Sequence, residues 1–196
     1  MSRPERYRQL LDTAWQLVRD EGTEALTLGR LAERSGVAKP VVYDHFGTRP
    51  ALLAALYAEF DARQTAAMDA TLQTGEATLA SRAAAIAAAY VDCVLVQGRE
   101  IPDVIAALAS TPELEKLKCE SQAAFLEKCR IALAPFAGND ALAPAALRAM
   151  LGAAEALSHA AATGEITAEQ AKDELYEIIV SMVARCADGA TRRRPG

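Results

Sequence analysis

The 196-residue sequence has few aromatic residues, only two histidines and only four cysteines. Aromatic side chains make up 5% of the chain, and no two cysteines form a CxxC pair. No stretch alternates β-branched and polar residues as a strand does, whereas alanine, the strongest helix former, is abundant. The sequence therefore predicts an all-α protein. Its thiols are predicted to be reduced and mostly buried, with a redox pair as the open alternative: Cys93, Cys119, Cys129 and Cys186.

Sequence signatures of the common enzyme classes are missing too. There is no paired Glu-x-x-His, no Asp-rich metal motif, no nucleophile elbow and no phosphate loop. We therefore expect no catalysis, no metal site and no cofactor.

Segments that direct a chain into or across a membrane are not apparent. The start, MSRPERYRQLL, lacks the apolar region and cleavage site of a signal peptide. The longest apolar run, AAAIAAAYVDCVLV, is broken by Asp92 and is expected to be too short to span a bilayer. A cytoplasmic protein without a membrane partner is the expectation.

Charge is distributed unevenly along the chain. The net charge is −5 and the isoelectric point about 5.2, which alone argues against nucleic acid as a partner. Residues 1–50, however, carry eight basic and seven acidic side chains, while residues 51–196 carry 13 basic and 19 acidic ones. The N-terminal part is thus the least acidic part of the chain, which is consistent with DNA binding without demanding it.

Helix start and stop signals divide the sequence into nine predicted helices. Ser2-x-x-Glu5 and Thr167-x-x-Gln170 are capping boxes that open the first and last of them. Gly22, Gly36, Gly98 and Gly164 are stop signals. APFAGND is predicted to be a loop and TRRRPG a frayed tail. The predicted helices span about 3–21, 28–35, 38–45, 49–74, 76–97, 100–110, 112–133, 144–163 and 167–187.

The first three helices match a helix-turn-helix, because a turn at Gly36 joins the second to the third. The third helix of such a domain enters the major groove of DNA. Val42 and Phe46 are predicted to point inward. The outward residues are predicted to be Lys39, Val41, Tyr43, Asp44 and His45.

The segment LTLGRLAERSGVAKPVVYDHFGTRPALLAAL resembles the DNA-binding segment of the TetR family of bacterial regulators. The resemblance covers about residues 5–60 and implies a helix-turn-helix DNA-binding domain at 1–47. It also implies a larger helical domain at 48–196 that binds a small molecule and dimerises. The matching positions are Thr27, Leu31-Ala32, Gly36-Val37, Tyr43-x-His45-Phe46 and Thr48-Arg49.

The resemblance also implies a role for individual residues in binding DNA. Thr27, Tyr43, His45 and Arg49 are expected to contact phosphates. At the start of the recognition helix, Lys39 is expected to donate to a guanine, while Pro40 or Val41 packs on a thymine methyl. For Tyr43 and His45 the alternative is packing at a helix end.

Two positions depart from the family pattern. Ala38 stands where the family often has Ser or Thr, and Gly29 stands where some members carry a base-reading side chain. As a mid-helix glycine, Gly29 also costs about 1 kcal/mol relative to alanine. A helical small-molecule-binding or dimeric scaffold without specific DNA binding therefore remains the alternative function.

The arginines at the two ends of the chain have two interpretations. Arg3, Arg6 and Arg8 either belong to a solvated helix start or enter the minor groove as an arm. The same choice applies to Arg192–Arg194.

The dimer interface is predicted on the last two helices. The eighth helix carries a strip of small side chains, and the ninth carries an apolar stripe at helical spacing. Both stripes can equally pack within one subunit. His159 is assigned to the interface rather than to a metal, since no second histidine lies nearby. The predicted interface residues are Ala149, Gly152, Ala153, Ala156, His159, Leu175, Ile178, Ile179 and Met182.

The effector site is predicted from apolar and polarisable residues on the fourth to eighth helices, each of which has ordinary core packing as its alternative. Asp92 is singled out because a buried carboxylate needs a partner. Arg82, Arg130, a cationic ligand and solvent are its candidate partners. The predicted site residues are Phe60, Met68, Tyr90, Asp92, Cys93, Phe125, Cys129 and Met150.

Together these expectations describe a repressor that binds a palindromic DNA operator as a homodimer and is released by a small-molecule effector. An activator fits the same residues, because the position of the operator decides between the two.

Overall fold

The computed structural model describes residues 1–97, 100–138 and 142–192, without the side chains of 97, 100–102 and 188–192. Within these ranges the chain forms nine α-helices, three short 3-10 turns and no strand, which confirms the all-α prediction. The turns are Thr23–Ala25, Leu108–Ser110 and Ala134–Phe136. The helices are α1 Arg3–Glu21, α2 Leu28–Ser35, α3 Lys39–Phe46, α4 Arg49–Thr74, α5 Leu79–Gln97, α6 Glu100–Ala107, α7 Pro112–Leu133, α8 Pro144–Thr163 and α9 Ala168–Arg192.

Three helix ends differ from the predicted ones by more than one residue. α5 starts at Leu79 instead of 76, because the Thr78 hydroxyl accepts a hydrogen bond from the Ser81 amide at 3.2 Å and caps the helix there. The predicted last turn of α6 is a 3-10 turn, and α9 continues to Arg192. Gly98, the end of the predicted APFAGND loop and most of the TRRRPG tail lie outside the described residues.

The chain folds into two compact units. The N-terminal unit comprises Met1–Ala62 and Gln97–Glu120, and the C-terminal unit comprises Arg63–Val96 and Ser121–Gly196. α4 and α7 each begin in the N-terminal unit and end in the C-terminal one. These units are groups of residues that pack together. They do not test the domain boundary expected between residues 47 and 48, which stays a prediction.

In the N-terminal unit, α1 packs against α2, α2 against α3, and α6 against α1. Leu10, Leu31 and Leu52 are completely buried there, and burial of such side chains is the main stabilising term. At the surface the Arg30 guanidinium lies 2.7 Å from the Glu21 carboxylate and holds its pKa below the usual value.

In the C-terminal unit, α8 packs along α9. The rings of Tyr90 and Phe125 meet edge to face at 5.4 Å and join α5 to α7. An ion pair between Lys128 and Asp69, 2.6 Å apart, joins α7 to α4.

α5 contains an apolar window, Leu79–Val96, with a mean hydropathy of 1.6. By length and composition this helix suffices to cross a membrane, so the prediction that the apolar run is too short was wrong. Half of the window is buried inside the protein, and the core helix of a soluble protein meets the same criterion.

The four cysteines differ in burial, and the prediction that most are buried was wrong. Cys129 is buried, Cys93 and Cys186 are intermediate, and Cys119 is exposed. Burial raises the pKa of the Cys129 thiol to about 12, so it stays protonated at neutral pH.

Because only a thiolate is nucleophilic, we expect Cys119 to be the fastest thiol and Cys129 to be silent in the folded protein. The measurement is Ellman titration at pH 8 with and without denaturant. Cys119→Ser is expected to remove the fastest phase, and Cys129→Ser to change only the reading in denaturant. If Cys129 reacted rapidly in the folded Cys119→Ser variant, its burial would be contradicted.

Candidate nucleic-acid interface

The turn between α2 and α3 is fixed by backbone hydrogen bonds around Gly36. Gly36 has a φ of +66°, in the left-handed region that glycine adopts at little cost. The Val37 amide donates to the Ala32 carbonyl at 3.2 Å, which closes the end of α2. This turn sets the direction in which α3 leaves α2.

α3 is anchored on one face and open on the other. Val42 is 0% exposed and Phe46 6% exposed, so both point into the core as predicted. On the opposite face, Val41 is 39% and Tyr43 51% exposed. These two side chains stand out because they are exposed together on a helix of only eight residues. Lys39, Pro40 and Asp44 are exposed on the same helix.

His45 lies between these two faces of α3 and packs on α1. Its ring centroid is 6.0 Å from that of Tyr7 and 6.2 Å from that of Phe46. Next to it is a cleft of about 530 Å³, lined by Arg3, Pro4, Tyr7, Arg8, Leu11, His45 and Glu59. The structure thus gives His45 a packing contact and leaves it half-buried beside basic groups. Tyr7 was not singled out in the sequence, because it is distant in the chain from His45.

The negative charge on α3 has a partner on α1. The Asp44 carboxylate lies 3.4 Å from the Arg3 guanidinium, with both side chains largely exposed. Solvent screening makes such a pair weak. The Arg3 charge partly neutralises the Asp44 carboxylate on the exposed face of α3, which is otherwise suited to an anion.

Thr27 is the N-cap of α2. Its hydroxyl oxygen accepts a hydrogen bond from the Arg30 amide at 3.1 Å. Because a hydroxyl group can accept and donate at once, its proton remains able to donate to a phosphate. Gly29 lies in the first turn of α2, so its description as mid-helix was wrong, and a Cβ there would meet only the Thr27 hydroxyl at 4.0 Å.

Ala38 is the N-cap of α3 and supplies no side-chain hydrogen bond to it. The departure from the family pattern at this position therefore leaves the start of α3 without a side-chain cap.

Arg49 has an internal role that the sequence did not suggest. Its guanidinium donates to the carbonyls of Leu26 at 2.9 Å and Thr23 at 2.8 Å. It thereby ties the first turn of α4 to the segment between α1 and α2. The phosphate contact expected of Arg49 stays a prediction, because these carbonyls already occupy two of its donor groups.

Comparisons with known proteins locate the same segment. Residues 10–56 match the model of the family described as bacterial regulatory proteins, tetR family. Over 47 residues the chain is 51% identical to the class C tetracycline repressor protein of Escherichia coli. This match covers 24% of the chain and 22% of that relative. Over this segment, about a quarter of the chain, the protein is similar to the TetR family.

Solved structures share the fold over nearly the whole of the chain. A candidate transcriptional regulator from Pseudomonas aeruginosa PAO1 has a TM-score of 0.78 at 16% identity, covering 98% of this chain and 95% of its own. A TetR-family transcriptional regulator from Streptomyces coelicolor has a TM-score of 0.74 at 18% identity, with coverages of 92% and 95%. At such identities the likeness shows the fold alone.

The predicted effector-site residues lie in both units. Phe60 lies in the N-terminal unit, and the other seven lie in the C-terminal unit. Met68, Tyr90, Phe125, Cys129 and Met150 are buried, and Cys93 is intermediate.

Asp92 was predicted to be a buried carboxylate, and this was wrong. The side chain of Asp92 is 52% exposed, and its carboxylate lies 2.7 Å from the Lys172 ammonium of α9. Neither Arg82 nor Arg130 is its partner: Arg82 donates to the Leu72 carbonyl, and Arg130 pairs with Glu127 at 2.6 Å. The Asp92 pair raises the pKa of Lys172.

The predicted interface stripes differ in exposure. Ala149, Gly152, Ala156 and His159 are exposed along one line of α8, and Ala153 is intermediate. On α9, Leu175, Ile179 and Met182 are at most 2% exposed within the single chain, so they were wrongly assigned to an interface. Ile178 is intermediate. The stripe on α9 is core, because α9 packs along α8 of the same chain.

The clamp formed by Arg49 makes a prediction about stability. Arg49→Met is expected to lower the free energy of unfolding by about 1–3 kcal/mol, because two charge-assisted hydrogen bonds are lost. Arg49→Lys, whose single ammonium replaces the planar guanidinium, is expected to lose about half of that. Urea unfolding followed by circular dichroism measures both, with Lys39→Met as the exposed control.

An unchanged unfolding midpoint of Arg49→Met, together with weaker DNA binding, would show instead that Arg49 serves phosphate contact alone.

Proposed function

We propose that this chain is a DNA-binding transcriptional repressor of the TetR family that acts as a homodimer in the cytoplasm, binds a palindromic operator and is released by a small molecule. The observation that carries the proposal is the exposed face of α3, with Lys39, Val41 and Tyr43 presented from a helix that is anchored on its opposite side. A helix held in this way after a tight turn suits the major groove.

Phosphate contacts set the position of such a helix, and base contacts set its specificity. Tyr43 and Thr27 offer hydroxyl donors at the two ends of the α2–α3 pair, and His45 lies beside the basic groups of α1. Lys39, Pro40 and Val41 lie in the first turn of α3, where the family motif places base-reading residues. With few cations on this face, we expect operator affinity to depend on salt only moderately.

Recognition of a full operator requires a homodimer. One recognition helix contacts only a few base pairs, and two helices about 34–36 Å apart contact two half-sites one DNA turn apart. The exposed small residues of α8 support a close helix–helix contact between two copies. A two-fold axis through such a contact makes the operator palindromic.

Release by an effector needs an element shared by both units, and α4 is one. Its first turn is clamped to the helix-turn-helix by Arg49, and its second half carries Met68, which is completely buried in the C-terminal unit. A molecule that binds one position of α4 better than another shifts the spacing of the recognition helices. Coupling of about 1–3 kcal/mol reduces operator affinity about 5- to 150-fold.

A scaffold without specific DNA binding remains the second candidate, because α3 starts at an uncapped Ala38 and carries Asp44 on its outer face. The two candidates differ in one property, sequence-specific DNA binding. Absence of catalysis is expected of both and stays a prediction.

Selection of bound duplexes from a random pool, at a stated salt concentration, tests the proposal. Enrichment of a palindrome with half-sites one helical turn apart is the expected result. No enrichment with folded, dimeric protein would favour the scaffold.

Tyr43→Phe is expected to weaken binding of the selected duplex about tenfold, because it removes one hydrogen bond to a charged phosphate. Its fold and stability should not change, since the side chain is half exposed. Fluorescence anisotropy measures the affinity, and Tyr176→Phe on α9 is the matched control. Equal affinities of the two variants would contradict a phosphate contact by Tyr43.

Ala156→Arg is expected to convert the dimer to a folded monomer, because a long charged side chain cannot fit between two closely packed α8 helices. Sedimentation velocity measures the change, with Ala123→Arg on the exposed face of α7 as control. A dimer that survives in Ala156→Arg and dissociates in Ala123→Arg would place the interface on another surface.

A further inference from the structure

Only two polar or charged side chains are buried in the described part of the chain, Gln64 on α4 and Ser158 on α8. Gln64 is 5% exposed and Ser158 is 0% exposed. Neither the Gln64 Nε2 nor the Ser158 Oγ has a hydrogen-bond partner among the described residues. A buried donor without a partner costs stability, so each such group in a native protein calls for an explanation, such as a bound water, an ion or a ligand.

Gln64 lies at the level of Tyr90 along the C-terminal unit. The end of α4 approaches the start of α5 closely, because a Cβ added at Gly75 would lie 2.8 Å from the Ser81 hydroxyl. The Arg82 guanidinium also donates to the Leu72 carbonyl. Counting back along these antiparallel helices at about 1.5 Å per residue places Gln64 opposite the stretch from Tyr90 to Asp92.

Ser158 lies at the same level by an independent path. α8 ends at Thr163 and α9 begins at Ala168, so the antiparallel pair places Ser158 next to Lys172 and Asp173. Lys172 pairs with Asp92 of α5 at 2.7 Å. By these two counts, both buried polar groups lie near the level of Asp92 along the C-terminal unit.

The surroundings at this level are apolar and uncharged. The Tyr90–Phe125 ring pair lies there, and Met68, one turn from Gln64 on the same face of α4, is completely buried. Cys129, one turn from Phe125, carries a neutral thiol. Asp92 pairs with Lys172 at 2.7 Å, and Arg63 and Asp173 are exposed, so no charged side chain is buried there among the described residues. A charged ligand would find no partner in this interior, and burial of an unpaired charge is strongly unfavourable.

We propose that Gln64 and Ser158 form the polar end of the effector site and that the effector is an uncharged, mainly apolar molecule. It carries a hydrogen-bond acceptor for the Gln64 amide and a second polar group for the Ser158 hydroxyl. The inference rests on the proposed function, since it names the chemistry of the effector that the repressor senses.

Binding of such a molecule satisfies two groups that lack partners without it. The gain exists only in the conformer in which α4 and α8 present both groups to one ligand. This supplies the difference in affinity between two conformers that release from an operator requires.

The test uses the full-length protein and Nile red, an uncharged dye with a ring carbonyl, in a fluorescence titration. Gln64→Met removes the amide at similar length, and Ser158→Ala removes the hydroxyl. Gln73→Met and Ser181→Ala make the same changes at exposed positions of α4 and α9. Thermal unfolding of the dye-free protein is the second readout, and affinity for the selected duplex is the third.

We expect Gln64→Met and Ser158→Ala each to weaken Nile red binding about 5- to 20-fold, with the two controls unchanged. Both variants should also raise the melting temperature of the dye-free protein by about 2–4 °C, because an unsatisfied buried group has been removed. The anionic dye anilinonaphthalene sulfonate should bind about tenfold more weakly than Nile red.

A lower melting temperature with unchanged Nile red affinity would overturn the proposal, since both groups would then be structural and satisfied by buried water. Absence of saturable Nile red binding would overturn it as well. If the variants lose the dye but no duplex is ever selected, the polar site stands and the repressor function fails. If a duplex is selected but the variants bind the dye unchanged, the repressor function stands and the polar site fails.

Discussion

The helix-turn-helix depends on one packing constraint: α3 is only eight residues long, and Val42 and Phe46 alone anchor it in the core. The left-handed Gly36 fixes where α3 begins, and Gly47 with a φ of +67° ends it. With one face used for anchoring, the remaining side chains of so short a helix must face solvent. The exposed Val41 and Tyr43 are therefore a direct consequence of the same geometry that holds α3 in place.

α4 extends this constraint to the rest of the chain. At its N-terminus the Arg49 guanidinium holds backbone carbonyls of the segment before α2, and farther along it presents Gln64 and Met68 to a buried, uncharged interior. α4 thus carries both the guanidinium that binds the segment before α2 and the amide that we assign to the effector.

Local signals explain what the sequence predicted well. Capping boxes, glycine stops and the Val42/Phe46 spacing act within a few residues, so helix limits and the two faces of α3 followed from them. Non-local contacts explain the failures. The stripe of Leu175, Ile179 and Met182 has the same spacing whether it meets its own α8 or a second subunit, and nothing around Asp92 in the sequence identifies Lys172, 80 positions away, as its partner. Arg49 and Tyr7 likewise act through residues distant in sequence.

We have proposed that the open face of α3 is the surface that binds DNA. The most direct measurement is the mapping of backbone amide NMR shifts during titration of the isotope-labelled protein with a duplex. We expect the largest shifts on residues 27–30 and 37–49, with smaller ones at the start of α1. Shifts confined to α8 and α9, or no shifts at low salt, would contradict it.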